Sequence, residues 1–223
     1  MSSVLDDNDT LSVDPQTDTC LPSSCINFSP THLQTLPPLI FSSQKYFTIH
    51  RTTIARTKHD RDNYGTSYYR SVVFSNPFTS GVVTVTITVL SIPDGNMCFG
   101  LMDSTSRIPE IDEALGYDVK NSVSLNAYGH LNFSTPSSNS YEDCHSDLKE
   151  GDCVRIEVDL DSTPRTVQFF VNDGTGRFYM SGIPSSVRIG FSVKGEEISF
   201  RIDNISRLSQ PTPISEEMKE VKL

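Results

Sequence analysis

Two stretches of this sequence decide its fold: GDCVRIEVDL at residues 151–160 and RTVQFFVNDG at residues 165–174. In the first, apolar residues such as Val158 alternate with charged ones, which is the period-2 pattern of a β-strand with one buried face. The second repeats the alternation through Phe169 and ends in Asn-Asp-Gly at 172–174, a combination that favours a tight turn. The two stretches predict an antiparallel hairpin with Val158 and Phe169 in the core.

Short strands of the same kind recur along most of the chain. The clearest is VTVTITV at residues 83–89, where β-branched residues occupy both faces. The other predicted strands and hairpins lie near residues 47–54, 69–74, 97–101, 123–133, 187–191 and 198–202. No long segment has helical periodicity, so the pattern predicts an all-β protein, either an antiparallel sandwich or a barrel.

The order of these motifs resembles that of the SPRY (B30.2-like) domain family. The closest match runs from Leu148 to Asn172, and the sequences SGVV at 80–83, Phe99-Gly100-Leu101 and Leu115-Gly116-Tyr117 are similar to further family elements. The resemblance covers residues 38–207. It implies a bent antiparallel β-sandwich of the concanavalin A-like type, which binds other proteins through loops at one end and is not an enzyme.

The two ends of the chain have a different composition. Residues 1–37 are acidic, rich in Ser, Thr and Pro, and poor in apolar surface, so we expect this segment to be disordered. Residues 208–223 are expected to form a short frayed tail. In that tail Ile214, Met218 and Val221 share one helical face, but the segment is too short for a stable isolated helix.

Charge and cysteine content narrow the functional classes. The net charge is −10, and a chain of this charge repels phosphate backbones, so we expect no nucleic-acid binding. Its apolar runs are far shorter than the ~20 residues that cross a bilayer, and its first residues lack the pattern of a secretory signal. The 5 cysteines are irregularly spaced, as is typical of reduced thiols. We expect a monomeric protein of the cytoplasm, or of the nucleus, without membrane attachment.

The candidate catalytic patterns have simpler structural interpretations. Glu110-Ile111-Asp112-Glu113 is similar to the E-x-D-x-E strand of β-glucanases, but Ala114 stands where the third carboxylate is needed, and a solvated acidic loop is the expected structure. Cys144 and His145 are neighbours in sequence, whereas catalytic Cys-His pairs come from distant elements. The resemblance to the SPRY family implies that Asp152 and Asp159 are structural turn and cap residues. We therefore predict no catalytic residue, no metal site and no cofactor.

Recognition of a protein or peptide partner is predicted on two loops, with Arg61 and Tyr64 on the first and Asp103, Arg107 and Tyr117 on the second. Arg and Tyr are enriched in binding hot spots, and loops carry recognition. The negative net charge favours partners with basic or neutral contact segments. As a residue of a loop tip, Tyr117 is expected to support little of the core.

Two alternatives stay open from the sequence alone. The basic and aromatic residues of the first loop also suit a solvated loop with no binding role. A carbohydrate-binding lectin or a glycanase on a related concanavalin-like sandwich is the alternative function.

Overall fold

The computed structural model describes residues 36–42, 47–56, 68–93 and 96–223, and within these ranges it contains sixteen β-strands and no helix. The strands are β1 (Leu39–Phe41), β2 (Phe47–His50), β3 (Thr53–Arg56), β4 (Arg70–Phe74), β5 (Val82–Ser91), β6 (Asn96–Asp103), β7 (Ser122–Asn126), β8 (His130–Ser134), β9 (Asn139–Asp143), β10 (Cys153–Asp159), β11 (Thr166–Val171), β12 (Gly174–Thr175), β13 (Phe178–Ser181), β14 (Val187–Lys194), β15 (Ser199–Leu208) and β16 (Lys219–Lys222). No helix in these ranges is long and apolar enough to span a bilayer. The predicted disorder of residues 1–37 concerns a segment of which 1–35 lie outside the described residues.

The strands form two sheets. Sheet 1 has seven strands in the order β1-β4-β14-β6-β7-β8-β9, all paired antiparallel. Sheet 2 has nine strands, with the order β16-β13-β11-β10-β5-β15-β3-β2 and β12 paired to β11. Its pairs are antiparallel except that β16 runs parallel to β13.

A single large apolar core lies between the two sheets. Phe99 and Phe191 of sheet 1 pack against Phe200 of sheet 2, with ring centroids 5.4 and 5.0 Å from that ring. The predicted hairpin is confirmed, since Ile156 is paired with Phe169 in the β10–β11 ladder and both side chains are buried. The all-β architecture predicted from the alternation is confirmed, and of the sandwich and the barrel that the alternation left open, the sandwich implied by the resemblance is observed.

The turns of this hairpin contain the acidic residues that the sequence analysis interpreted as structural. The Asp152 carboxylate accepts a hydrogen bond from the Lys149 amide at 2.7 Å and another from Asn172 Nδ2 at 2.8 Å. Asp159 Oδ1 accepts from the amide of Asp161 at 3.0 Å. These bonds hold the chain at each end of β10.

Residues 104–121, here called the covering segment, lie on the outer face of sheet 1, the face turned away from the core. Leu115 and Val119 pack there with Val73 and Met102 in a second, smaller apolar cluster. Serine hydroxyls of the sheet bind the backbone of the segment: Ser124 Oγ donates to the Leu115 carbonyl at 2.7 Å. The covering segment is thus a fixed part of the domain, and the residues it carries are held in defined positions.

The predicted frayed tail at residues 208–223 is wrong. Residues 219–222 form β16, which pairs with β13 from Phe178↔Lys219 to Ser181↔Lys222, and Met218 is buried. The segment is ordered because it adds a strand to the edge of sheet 2 and supplies partners for buried polar groups of that sheet. A periodicity of three apolar residues could not reveal a pairing with a strand forty positions earlier.

Candidate functional site

Two of the five predicted binding residues, Arg61 and Tyr64, lie outside the described residues. The other three belong to β6 and the covering segment, where they have separate roles. Asp103 ends β6, and its Oδ1 accepts hydrogen bonds from both the amide and the hydroxyl of Thr105, each at 2.8 Å. This carboxylate shapes the first turn of the covering segment.

Arg107 is exposed and is bound within its own segment. Its guanidinium donates two hydrogen bonds to the Glu113 carboxylate, the one from Nη1 at 2.6 Å, and Glu110 lies 3.4 Å away. Hydrogen bonding to Arg107 lowers the pKa of Glu113 below its ordinary value. The predicted acidic loop is confirmed, and its carboxylate Glu113 is part of an ion pair that closes the loop.

Tyr117 is half-buried rather than at an exposed loop tip, so the expectation that it supports little of the fold is wrong. Its hydroxyl accepts a hydrogen bond from Asn126 Nδ2 at 2.8 Å. Burial raises the pKa of the Tyr117 phenol above its ordinary value of 10.0, and the nearby Cys98 adds to this shift. The side chain packs onto sheet 1 because the backbone on either side of it is tied to the sheet.

Asn126 organises the surface around Tyr117. This β7 residue is 1% exposed, and its Oδ1 accepts hydrogen bonds from the amides of Tyr128 at 2.9 Å and His130 at 3.0 Å. One buried amide thereby fixes both Tyr117 and the β7–β8 turn that presents the next two aromatic side chains.

Three rings form an exposed row beside this turn, here called the aromatic row: Tyr128, His130 and Tyr141. The His130 ring lies 6.2 Å from that of Tyr128 and stacks on that of Tyr141 at 5.0 Å. Tyr128 is 53% exposed and Tyr141 60%, the largest exposed aromatic side chains among the described residues. His130 Nε2 is 3.2 Å from a carboxylate oxygen of Asp143, so the row has an acidic border.

A fourth tyrosine, Tyr69, lies next to this surface, directly before β4. Tyr69 accepts a hydrogen bond from Asn96 Nδ2 at 2.9 Å, and the Lys194 ammonium lies 5.2 Å from the centre of its ring. Burial raises the pKa of Tyr69, and Cys98, Tyr117 and Tyr128 contribute further. Asn96 Oδ1 also accepts a hydrogen bond from the Ala127 amide at 3.3 Å, next to Asn126. Hydrogen bonds therefore connect Tyr69 with Tyr117 and the aromatic row, and we call these residues the tyrosine surface.

Sequence reasoning found Tyr117 but missed the aromatic row. The alternation in β8 indicates that His130 faces away from the core, because Leu131 is a core residue. Nothing in the local sequence indicates that Tyr141 stacks on it, since that contact depends on the pairing His130↔Asp143 between β8 and β9.

The remaining polar groups with potential chemistry have structural partners. Cys144 Sγ contacts the Phe178 carbonyl at 3.7 Å, whereas His145 Nε2 binds the Phe169 carbonyl at 3.1 Å. Burial raises the pKa of the Cys98 thiol to about 12. In the part of the chain that the structure describes, no three His, Cys, Asp or Glu side chains are grouped as metal ligands.

Comparison with known proteins gives similarity of structure only. The sequence matches no family model and no curated protein. The structure is similar to the SPRY domain of human HERC1, with a TM-score of 0.49 and 16% identity over 74% of this chain and 94% of that one. It is also similar to peanut lectin in complex with the nine-residue peptide PVIWSSATG, with a TM-score of 0.48 and 15% identity over 79% of this chain and 97% of the lectin. The first of these is a domain of the family that the sequence resembles.

Proposed function

We propose that this chain is a non-enzymatic binding module that captures a short peptide or loop of another protein on the tyrosine surface. The observation that supports this proposal is the aromatic row, whose rings are more than half exposed at Tyr128 and Tyr141 beside the fixed side chain of Tyr117. Exposed aromatic side chains on a rigid support bury much apolar area at little cost in conformational entropy.

The charges around the surface suggest the chemistry of the partner. Asp143 borders the row, and the whole chain carries a net charge of −10. A partner segment with a basic or neutral contact face would be attracted, and an acidic one repelled. Lys194, beside Tyr69, is a local exception that suits a carbonyl or a single carboxylate of the partner.

The sequence-predicted residues enter this proposal to different degrees. Tyr117 is central. Residues 57–67, with Arg61 and Tyr64, join Arg56 to Tyr68, which directly precedes Tyr69, and we propose that they add contacts at that border. Asp103 and Arg107 are already engaged in the covering segment, so we assign them the role of shaping it. We propose that the protein acts as a monomer in the cytoplasm or the nucleus.

A glycan is the second candidate ligand, because the stacked His130–Tyr141 pair also presents a flat aromatic surface of the kind that sugar rings pack against. Two parallel screens separate the two classes: a pull-down from cell extract with identification by mass spectrometry, and a glycan array. Specific capture of a protein whose binding is lost in Tyr141→Ala supports the proposal. Binding on the glycan array without capture of a protein would favour a lectin function instead.

The matched control for Tyr141 is Ile111→Ala. Ile111 is similarly exposed, at 56%, and lies in the acidic loop of the covering segment rather than in the aromatic row. Tyr141→Ala should weaken affinity for the captured protein by at least about tenfold, which is about 1.4 kcal/mol. Ile111→Ala should leave it unchanged. Equal affinity in both variants would place the binding surface elsewhere.

A further inference from the structure

Several polar side chains are buried on the face of sheet 2 that points away from the core, among them a directly paired carboxylate and amide. Glu157 on β10 and Gln168 on β11 are directly opposite each other, and they are 1% and 2% exposed. Buried carboxylates and amides are destabilising unless they are hydrogen-bonded. Both side chains find hydrogen-bond partners in residues 209–223, here called the C-terminal strap, which crosses this face.

One residue of the strap, Thr212, is bound at every polar group it has. Glu157 accepts hydrogen bonds from the Thr212 amide at 2.5 Å and from its hydroxyl at 2.8 Å, and Gln168 Nε2 donates to the Thr212 carbonyl at 2.9 Å. Pro211 and Pro213 flank this residue and have no amide proton that would need a partner. Side chains of the sheet thus bind the backbone and the hydroxyl of the central residue of a Pro-Thr-Pro segment, as a receptor binds a peptide.

The rest of the strap is also bound in a manner typical of peptide ligands. Residues 219–222 extend the sheet as β16 along the edge of β13, and Glu220 accepts a hydrogen bond from Ser181 Oγ at 2.5 Å. Addition of a strand to a sheet edge is a common mode of peptide recognition.

The charge at the centre of the site selects a neutral donor. Arg155 donates to the Glu157 carboxylate at 2.5 Å, and its guanidinium lies 3.6 Å from the centre of the Phe170 ring. Because Arg155 already supplies the cation, a hydroxyl such as that of Thr212 suits the remaining position better than a second positive charge.

The strap fits this face incompletely. Gln168 Oε1 is buried and has no hydrogen-bond partner among the residues that the structure describes. Beside it lies a cavity of about 320 Å³, lined by Pro164, Tyr179 and Ile214 among others. A buried acceptor without a donor weakens the complex that contains it. A segment that filled the cavity and supplied a donor would bind more tightly than the strap does.

We propose that this face of sheet 2 is a second peptide-binding site and that the C-terminal strap is its exchangeable occupant. In place of the strap, the site accepts an extended segment of a partner protein with a Pro-Thr-Pro core. The site is independent of the tyrosine surface on sheet 1. Occupation by the strap raises the affinity that a partner must reach, because a tethered segment has a high effective concentration.

Exchange can be tested on the full chain by cutting it after it has folded. A recognition sequence for a specific protease is inserted between Ser209 and Gln210, both of which are exposed. The folded, cut protein is mixed with an excess of a fluorescent peptide of residues 210–223. We expect the peptide to replace the cut strap, detected by fluorescence anisotropy and native mass spectrometry, whereas the uncut chain binds little of it.

Peptide variants test the recognition chemistry. Thr212→Val removes the hydroxyl that donates a hydrogen bond to Glu157, and this change should weaken binding by about tenfold or more. Ser215→Ala is the matched control, because the Ser215 hydroxyl accepts a hydrogen bond from the Glu217 amide within the strap. The affinity of the Ser215→Ala peptide should stay within about twofold of that of the native peptide. Replacing Ile214, which lines the cavity, by Asn, Tyr or Trp should give at least one peptide that binds more tightly than the native one.

Several results would overturn the proposal. They are a cut strap that never exchanges, a protein that unfolds when it is cut, equal affinity of the Thr212→Val peptide, and no gain from any replacement of Ile214. Concentration-dependent dimers of the uncut chain formed by mutual exchange of straps would identify a second copy, rather than a partner protein, as the occupant.

Discussion

At the scale of single residues, the tyrosine surface depends on buried amides that each serve several groups. Asn126 binds the Tyr117 hydroxyl through its nitrogen and two backbone amides through its oxygen. Because one side chain binds three groups, a change in one of these groups alters the hydrogen bonds of the other two.

Tyr117→Phe and Tyr117→Ala should both lower the free energy of unfolding, by different amounts. The phenylalanine variant leaves the buried Asn126 Nδ2 without its acceptor, at a cost of about 1–2 kcal/mol. The alanine variant also removes the half-buried ring, and we expect a loss of about 2–4 kcal/mol. Urea denaturation measures both changes. An alanine variant as stable as the native protein would show that Tyr117 is not packed on sheet 1.

Gly116→Ala and Gly151→Ala form a matched pair. Both glycines have positive φ, 79° and 88°, so both substitutions strain the backbone by about 1–2 kcal/mol. A methyl group at residue 116 would also collide with Ser124 Oγ and the Asn132 carbonyl, whereas at residue 151 nothing lies within 4 Å. We expect Gly116→Ala to be clearly the more destabilising by thermal denaturation; equal losses would contradict the docking of the covering segment.

At the scale of elements, connections outside the strands pack on the sheets through side-chain hydrogen bonds. The covering segment is bound to sheet 1 by serine hydroxyls, and the connection between β9 and β10 contacts sheet 2 through His145. The first contact depends on groups that do not titrate near neutral pH. The second depends on an imidazole, which makes it sensitive to pH.

Stability should fall as the pH decreases below 6.5, through His145. Burial lowers the pKa of this imidazole below its ordinary value of 6.5, so the unfolded chain takes up a proton that the folded chain takes up only at lower pH. The stabilisation is complete above pH 6.5 and is lost as the pH falls through the folded pKa, with a slope of at most about 1.4 kcal/mol per pH unit.

Urea denaturation at pH 7.5, 6.5 and 5.5 measures this slope in the native protein and in His145→Gln. Glutamine keeps a donor for the Phe169 carbonyl but does not titrate. We expect a shallower slope in the variant. The same slope in both proteins would assign the pH dependence to other groups.

At the scale of the whole molecule, the two chain ends should contribute unequally to stability. Leu36 packs against the core, whereas deletion of residues 1–35 removes none of the described contacts, so the melting temperature should change by less than about 2 °C. Deletion of residues 209–223 exposes the surface covered by Met218 and removes the two hydrogen bonds that Thr212 donates to Glu157. We expect a decrease of about 5–10 °C.

Differential scanning calorimetry compares the two deletions with the full chain. A large decrease on removing residues 1–35 would mean that the N-terminal segment contributes to the folded domain. An unchanged melting temperature without residues 209–223 would contradict the binding of the strap to sheet 2.

The fold was predictable from the sequence because its signals are local. The alternation at Val154, Ile156 and Val158, or the β-branched run at 83–89, indicates a strand without any knowledge of its neighbours, and turn residues such as Asn172 mark where each strand ends. Val158 and Phe169 are both in the core, as the alternation predicted.

Alternation also indicated which residues face away from the core, but not what covers them there. Glu157 and Gln168 were expected on an exposed face and are buried, because a segment more than forty residues later in the chain lies over them. Tyr117 is half-buried against Asn126 and Tyr141 stacks on His130 through contacts that depend on how the strands of sheet 1 pair and are covered. The sequence by itself determined the strands and the faces they turn to the core; only the tertiary structure decided what covers the opposite faces, because those contacts join segments whose separation along the chain leaves no local pattern.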